Sequence, residues 1–272
     1  MTDNVTGDTV RPAPLLVERR PDGVVLLTFN LPDKRNAMTP ELTEAWAAAV
    51  ADLATDPDVR AVVVTGAGRA FCAGGDLSWL AAGPDVAVAD LRAKMLPFYR
   101  TWLAIRALEV PTIAALNGPA VGAGLAVALA CDLRYAVPGA RLSVPFTALG
   151  IHPGMATTWL LPQVVGLPVA REMLLTGRVV TGEEAVALGL VNRTFPAESF
   201  LTDVLGVASQ VAAHAPIATR LTKVALADGG PASISDALRW ESVAQPVTMA
   251  TEDLVEGLAA ARERRRPEFR GR

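Results

Sequence analysis

The sequence predicts an α/β fold, and three observations carry the prediction. Short β-prone apolar runs alternate with helix-like stretches over the first two thirds of the chain. Two of those runs lead directly into glycine-bearing turns, Gly66–Asp76 and Asn117–Gly124. From about Val165 onward the pattern turns almost wholly helical, with Gly or Pro as punctuation.

Taken in order, Leu15–Arg20 and Val24–Asn30 read as two strands joined by the Pro21-Asp22-Gly23 turn. Thr39 before Pro40-Glu41-Leu42 has the form of a helix cap, since proline is tolerated in the first turn, where its missing N–H has no partner to lose. That helix is expected to reach about Leu53, and Asp56-Pro57 to break the way to a strand at Arg60–Thr65. Asp90–Leu108 reads as helix, begun or kinked at Pro97. Strands are expected near Thr112–Leu116, Leu133–Ala136 and Leu142–Val144, interleaved with glycine-led helices. The helical third reads as Val169–Thr176, Thr181–Leu188, Ala197–Ala213, Pro216–Ala227, Ser233–Ala244 and Thr251–Arg265. Thr181 precedes Glu183 and Glu184, and acids in a first turn suit the helix dipole.

Composition narrows the classes of function. Of 272 residues, 51% are apolar and 19% charged, as in an ordinary globular protein. A net charge of −3 offers no basic excess to neutralise nucleic-acid phosphates. The longest uncharged apolar stretch, Pro119–Cys131, is too short for a bilayer and is broken by glycines. Residues 1–14 are polar, carry two prolines and read as a disordered tail without the apolar segment of a signal peptide. Cys72 and Cys131 match no metal or redox spacing and are expected as thiols in a cytoplasmic protein, Cys131 as a small core residue.

The two turns carry the chemistry. Each places backbone N–H groups at a turn or helix start, where they lack intrahelical partners and can bind negative charge. Aimed at one point, two such donors form an oxyanion hole for the enolate-like charge of a thioester. A dinucleotide fingerprint fails at both places: after Gly66 and Gly68 the third glycine position is Phe71, and Gly118, Gly122 and Gly124 are misspaced. No phosphate-loop lysine follows, no Gly-x-Ser-x-Gly elbow is present, and His152 and His214 lack metal-ligand spacing.

Four segments in order, Leu31–Met38, Gly66–Asp76, Asn117–Gly124 and Ala130–Arg134, together with the tail Glu263–Phe269, are similar to the crotonase superfamily, the enoyl-CoA hydratase/isomerase family. Gly150–Pro162 resembles the ring-isomerising, phenylacetyl-type branch. The resemblance implies a spiral of β-β-α units over residues 15–197, and a helical region over 198–272 that makes trimer contacts and covers the site. It implies a homotrimer or dimer of trimers, an acyl-CoA ligand, and no cofactor beyond the CoA of the thioester itself. It places the two oxyanion donors on Gly75 and Ala123, where the alanine keeps its N–H provided the turn needs no positive φ there. CoA contacts are implied at Lys34, Asn36, Ala37, Ala73, Asp76 and Leu77, with Arg265 near the CoA phosphates. Asp76 also reads as a helix cap, and the basic cluster at Arg265 as a solvated helix end.

The chain departs from the family at its acids. The hydratase glutamate positions hold Ala126 and Phe146, and the aspartate position of the isomerase branch holds Gly154. None of these can transfer a proton, and losing a general acid or base typically costs about 10²–10⁴-fold. His152, two residues before Gly154, is the candidate base, because imidazole titrates near neutral pH; its alternative is a structural hydrogen bond in the loop. His214 reads as a surface residue. Two functions are therefore expected: an enzyme of thioester enolate chemistry, or a non-catalytic acyl-CoA carrier that kept the pocket and lost the acids.

Overall fold

The computed structural model describes residues 12–76 and 86–272. Most of the tail expected over residues 1–14 lies outside that range. Its last residues are tied down, with Asn30 donating its backbone N–H to Pro14 O at 2.7 Å and its Nδ2 to Ala13 O at 2.9 Å.

Six strands form the main sheet. They are β1 (Leu15–Arg19), β2 (Val24–Phe29), β3 (Ala61–Gly66), β4 (Thr112–Leu116), β6 (Leu133–Ala136) and β9 (Arg193–Thr194), adjacent in that order. The β1–β2 hairpin is antiparallel and every later pair is parallel. A smaller sheet holds β5 (Ala120–Val121), β7 (Arg141–Ser143) and β8 (Val180–Thr181). The two-residue strands β5, β8 and β9 are too short to show a period of two, so the sequence does not announce them.

The central strand β3 is buried at all six positions, as parallel strands are when both sheet faces are covered. Alternation divides its residues between two cores. Val62 and Val64, with Leu27, Phe29 and Leu116, face helices α1 (Pro40–Thr55) and α2 (Val88–Leu103). Ala61 and Val63, with Val24, Leu26 and Ile113, face α6 (Phe200–Ala212), which buries Phe200, Val204, Ala208 and Ala212. Thus α6, assigned to the helical third by sequence, packs directly on the sheet.

The helix starts follow their chemistry. Thr39 caps α1 by accepting from Leu42 N, with Pro40 in the first turn as expected. Thr181 caps α5 (Gly182–Ala187), Ser233 caps α8 (Ile234–Met249) and Thr251 caps α9 (Glu252–Glu263) in the same way. Helix α2 starts at Val88 rather than at Pro97, runs through the proline and ends in a 3₁₀ turn over Ala104–Ala107. Helix α3 (Ala123–Ala130) is buried at every residue. Helix α4 (Thr157–Thr176) starts well before the expected Val169 and bends at Gly166, where φ is 73°. Pro162 and Pro168 on either side of that bend hide the first half from a periodicity reading. Helix α7 (Pro216–Leu226) precedes α8 along the chain.

An aromatic cluster joins the β2 end of the sheet to α1 and α2. Trp46 and Trp102 stack with centroids 5.2 Å apart, and Phe29 packs on both, and on Phe71, at 5.5–5.7 Å. The indole N–H of Trp102 donates to Thr43 Oγ1 and that of Trp46 to Thr101 O, both at 3.2 Å. Replacing Trp102 by alanine removes the anchor of α2 and is expected to cost about 3–5 kcal/mol, read as a lower midpoint in urea unfolding.

Candidate functional site

The site forms at the C-terminal ends of β3 and β4, where open parallel sheets place their crevices. Strand β3 runs into Gly66–Asp76 and β4 into Asn117–Gly124. Two asparagines fix the first turn. Asn36, fully buried, accepts from Leu31 N at 2.9 Å and donates Nδ2 to Ala67 O at 3.0 Å and Ala70 O at 2.8 Å. Asn117 accepts from Gly66 N at 3.1 Å and donates to Gly66 O at 2.8 Å and Gly68 O at 3.1 Å.

The turns then meet backbone to backbone. Phe71 N and Cys72 N both donate to Pro119 O, and Val121 N donates to Cys72 O at 3.0 Å. A Cβ on Gly124 would lie 2.3 Å from Cys72 O, one on Gly118 2.1 Å from Arg69 O, and one on Gly74 2.6 Å from Val121 O. Only glycine permits this approach.

That approach brings Gly75 and Ala123 into the wall of one cavity. Met38 N donates to Gly74 O at 2.9 Å, and the Gly74–Gly75 peptide is trans, so the Gly75 N–H points the opposite way from that carbonyl. Ala123 is the first residue of α3, so its N–H has no partner within the helix. The hypothetical Gly74 Cβ would be 3.5 Å from Ala123 N, which shows how close the two turns lie. The positive φ of the second turn falls on Gly122, at 55°, and Ala123 itself avoids it. Gly75 and Ala123 line the same small cavity of about 90 Å³.

Ala73 and His152 also line that cavity, together with apolar side chains that include Met95, Phe98, Leu149, Ile151 and Met155. The His152 Nδ1 lies 2.8 Å from Pro153 O. A carbonyl only accepts, so the neutral ring carries its proton on Nδ1 and leaves a free lone pair on Nε2. Phe146 is in the wall, its ring 3.6 Å from where a Gly122 Cβ would be, whereas Ala126 is buried within α3 and absent from the wall. Gly154 is in the wall at the start of a constrained turn in which Met155 and Ala156 both adopt positive φ, at 56° and 53°.

Several expected ligand contacts have other employment. Asn36 spends its side chain on the first turn, and its N–H donates to Leu31 O at 2.9 Å. The Ala37 N–H donates to Lys34 O and the Ala73 N–H to Arg35 O. Lys34 is exposed, and neither it nor the half-buried Asp76 belongs to the described cavity wall. Leu77 lies outside the described residues. Arg265 pairs with Glu256 at 2.5 Å and Glu263 at 2.6 Å, away from the cavity wall. That pairing and the Glu268 N–H hold the Glu256 carboxyl down at about 2. His214 is exposed just beyond α6, as read from sequence. Burial pushes both thiols, Cys72 and Cys131, up to about 12, so neither is a nucleophile near neutral pH.

One wall residue escaped the sequence reading. Tyr99, on α2, lines the cavity with its hydroxyl against Gly154. It sits in a helix with no glycine turn and no motif, and only the fold brings it to the site.

The fold is thus an α/β crotonase type with its cavity where two glycine turns converge. The enoyl-CoA hydratase/isomerase family model matches residues 19–272, and the chain belongs to that family of acyl-CoA enzymes. A Mycobacterium tuberculosis protein described as a probable enoyl-CoA hydratase, EchA14, is 43% identical over 248 residues, spanning 89% of this chain and 94% of the relative. The 2,3-dehydroadipyl-CoA hydratase of Escherichia coli is 36% identical over 258 residues, 94% of this chain and 99% of the relative. The crystal structure of an enoyl-CoA hydratase from Bacillus anthracis superposes with a TM-score of 0.89 at 32% identity, covering 95% of this chain and all of that one.

Replacing Asn36 by alanine leaves the part-buried Ala67 carbonyl without its donor and the Ala70 carbonyl with only the long 3.5 Å bond from Asn117 Nδ2. A loss of about 2–4 kcal/mol is expected, measured as a lower thermal midpoint in calorimetry.

Proposed function

We propose that this protein is an acyl-CoA enzyme that binds a thioester with its carbonyl oxygen between the N–H groups of Gly75 and Ala123 and stabilises the enolate formed there. The observation that carries the proposal is the convergence of those two donors on one largely apolar cavity. Hydrogen bonds to developing charge are strongest where water is excluded, because the local dielectric is low. The α3 N-terminus, which begins at Ala123, adds its dipole with the same sign.

The positions that the family resemblance assigns to acids hold Ala126, Phe146 and Gly154, so proton movement falls to other groups. His152 Nε2, free to accept, takes the role of base. CoA belongs to the substrate, and no further cofactor is required for this chemistry. A cytoplasmic location fits a protein in which no described helix is long and apolar enough to cross a membrane. A non-catalytic carrier is the less favoured reading, since relatives matched over most of their length are named as hydratases.

Incubation with a panel of saturated and unsaturated acyl-CoAs in D₂O, followed by mass spectrometry, tests the proposal. Enzyme-dependent deuterium uptake or a mass gain by hydration is expected. Ala123→Pro removes one donor at a helix position that accepts proline, and should slow the exchange by about 10²–10³-fold while retaining the fold by circular dichroism. Binding of every ligand without label, or an unslowed variant, would count against the enolate site.

We further propose a homotrimer or dimer of trimers. Helices α8 and α9 expose Ile234, Leu238, Val243, Val247, Met249, Val255 and Leu258, each at least half accessible. So much apolar surface on neighbouring helices fits a subunit contact. Light scattering on the eluting protein should give three or six times the 28.5 kDa chain mass.

A further inference from the structure

We infer that Tyr99 is the proton donor of this site, handing its phenol proton to the enolate carbon from the space that Gly154 leaves open. The inference rests on the enolate reading above and adds to it the group that ends the enolate.

The first support is shape. A Cβ on Gly154 would lie 2.6 Å from Tyr99 Oη and 3.0 Å from Cζ. The phenol oxygen thus occupies the volume that a side chain at position 154 would fill, and such a side chain would have to displace it. Gly154 is held in place by its own carbonyl, which accepts from Thr157 Oγ1 at 2.6 Å and Thr157 N at 3.1 Å.

The second support is elimination. Among the described residues of the cavity wall, Tyr99 and His152 alone carry a side-chain proton that can be transferred. The rest of the wall is glycine, alanine, proline, valine, methionine, phenylalanine, leucine and isoleucine. With His152 Nε2 holding a lone pair, the remaining role of donor falls to the phenol. Burial pushes the Tyr99 hydroxyl up from its ordinary range, which keeps it protonated at neutral pH.

The third support is rigidity. Trp102, one turn further along α2, stacks on Trp46, and Phe98 packs on both Tyr99 and Trp102 with centroids 6.2 and 6.3 Å apart. The helix face that carries Tyr99 is thereby fixed to the core, as a proton donor requires.

The step balances within the site. His152 Nε2 removes a proton from the acyl chain, and the C–H electron pair becomes the enolate, with its charge on the carbonyl oxygen. The enolate pair then forms a C–H bond to the phenol hydrogen as the carbonyl re-forms. The O–H pair stays on Tyr99 as phenolate, which recovers a proton from the His152 imidazolium through solvent. No oxidant, reductant or added co-reactant is needed.

Tyr99→Phe removes one oxygen and leaves the ring packing intact. Deuterium uptake into crotonyl-CoA and vinylacetyl-CoA should fall by about 10²–10³-fold in the variant. Calorimetric affinity for butyryl-CoA, a saturated ligand with no double bond to shift, should stay within threefold. In Tyr99→Ala/Gly154→Asp the carboxyl takes the volume of the phenol, and uptake should recover at least tenfold over Tyr99→Ala alone. Uptake in Tyr99→Phe equal to the unmodified protein overturns the inference and leaves the enolate reading standing. Loss of butyryl-CoA affinity in parallel with rate overturns it in favour of a packing role. Absence of uptake in the unmodified protein with ligands that bind overturns both readings.

Discussion

Everything at this site depends on two loops touching through their backbones. The carbonyl of Cys72 sits where a Cβ of Gly124 would be, and that of Arg69 where a Cβ of Gly118 would be. Main chain approaches main chain this closely only where side chains are missing on the contact side, so the glycines set the distance between the ends of β3 and β4. The cost of such an approach is buried peptide groups, and the bonds to Pro119 O and Cys72 O satisfy them. Once those bonds are made, Gly75 and Ala123 come to line one cavity, and the proposed donor pair follows from how the loops must pair.

Much of this was legible in the chain. The cap at Thr39, the buried strand β3 and the order of the two turns all depend on local pattern, which sequence displays directly. The two-residue strands were illegible because their pairing is decided by register with distant partners. The first half of α4 was illegible because two prolines mask a helix whose bend lies at Gly166. Among the site residues, Asn36 is implied as a CoA contact by the family resemblance alone, and its internal hydrogen bonds are not visible in the sequence. Its burial assigns it to holding Ala67 and Ala70 in place. Tyr99 could not be found at all, because nothing local distinguishes it from any tyrosine on an amphipathic helix.

The connection between core and site runs through aromatic rings. Phe71, inside the first turn, packs on Phe29 of β2, and Phe29 packs in turn on Trp46 and Trp102. The same cluster therefore positions the donor turn from below and the Tyr99 helix from the side. A ring stack is a stiff connector, since its members are held in shape-specific contacts that tolerate little displacement. Its polar edges are also satisfied, through Thr43 and the Thr101 carbonyl. Turn and helix are thus referred to a common origin, which is what an arrangement of groups from distant parts of the chain needs.

The charge pattern of the described wall follows from its lining, which carries no carboxylate. A carboxylate beside an enolate works as a base, yet its negative charge opposes the charge it creates. Here the described wall carries no carboxylate, two N–H dipoles and the positive end of α3. Its field favours negative charge on the carbonyl oxygen throughout, with no opposing term from the groups that move protons. In the proposed reaction enolate stability comes from the backbone and proton traffic from the side chains of His152 and Tyr99, with Phe146 and Gly154 in the same wall.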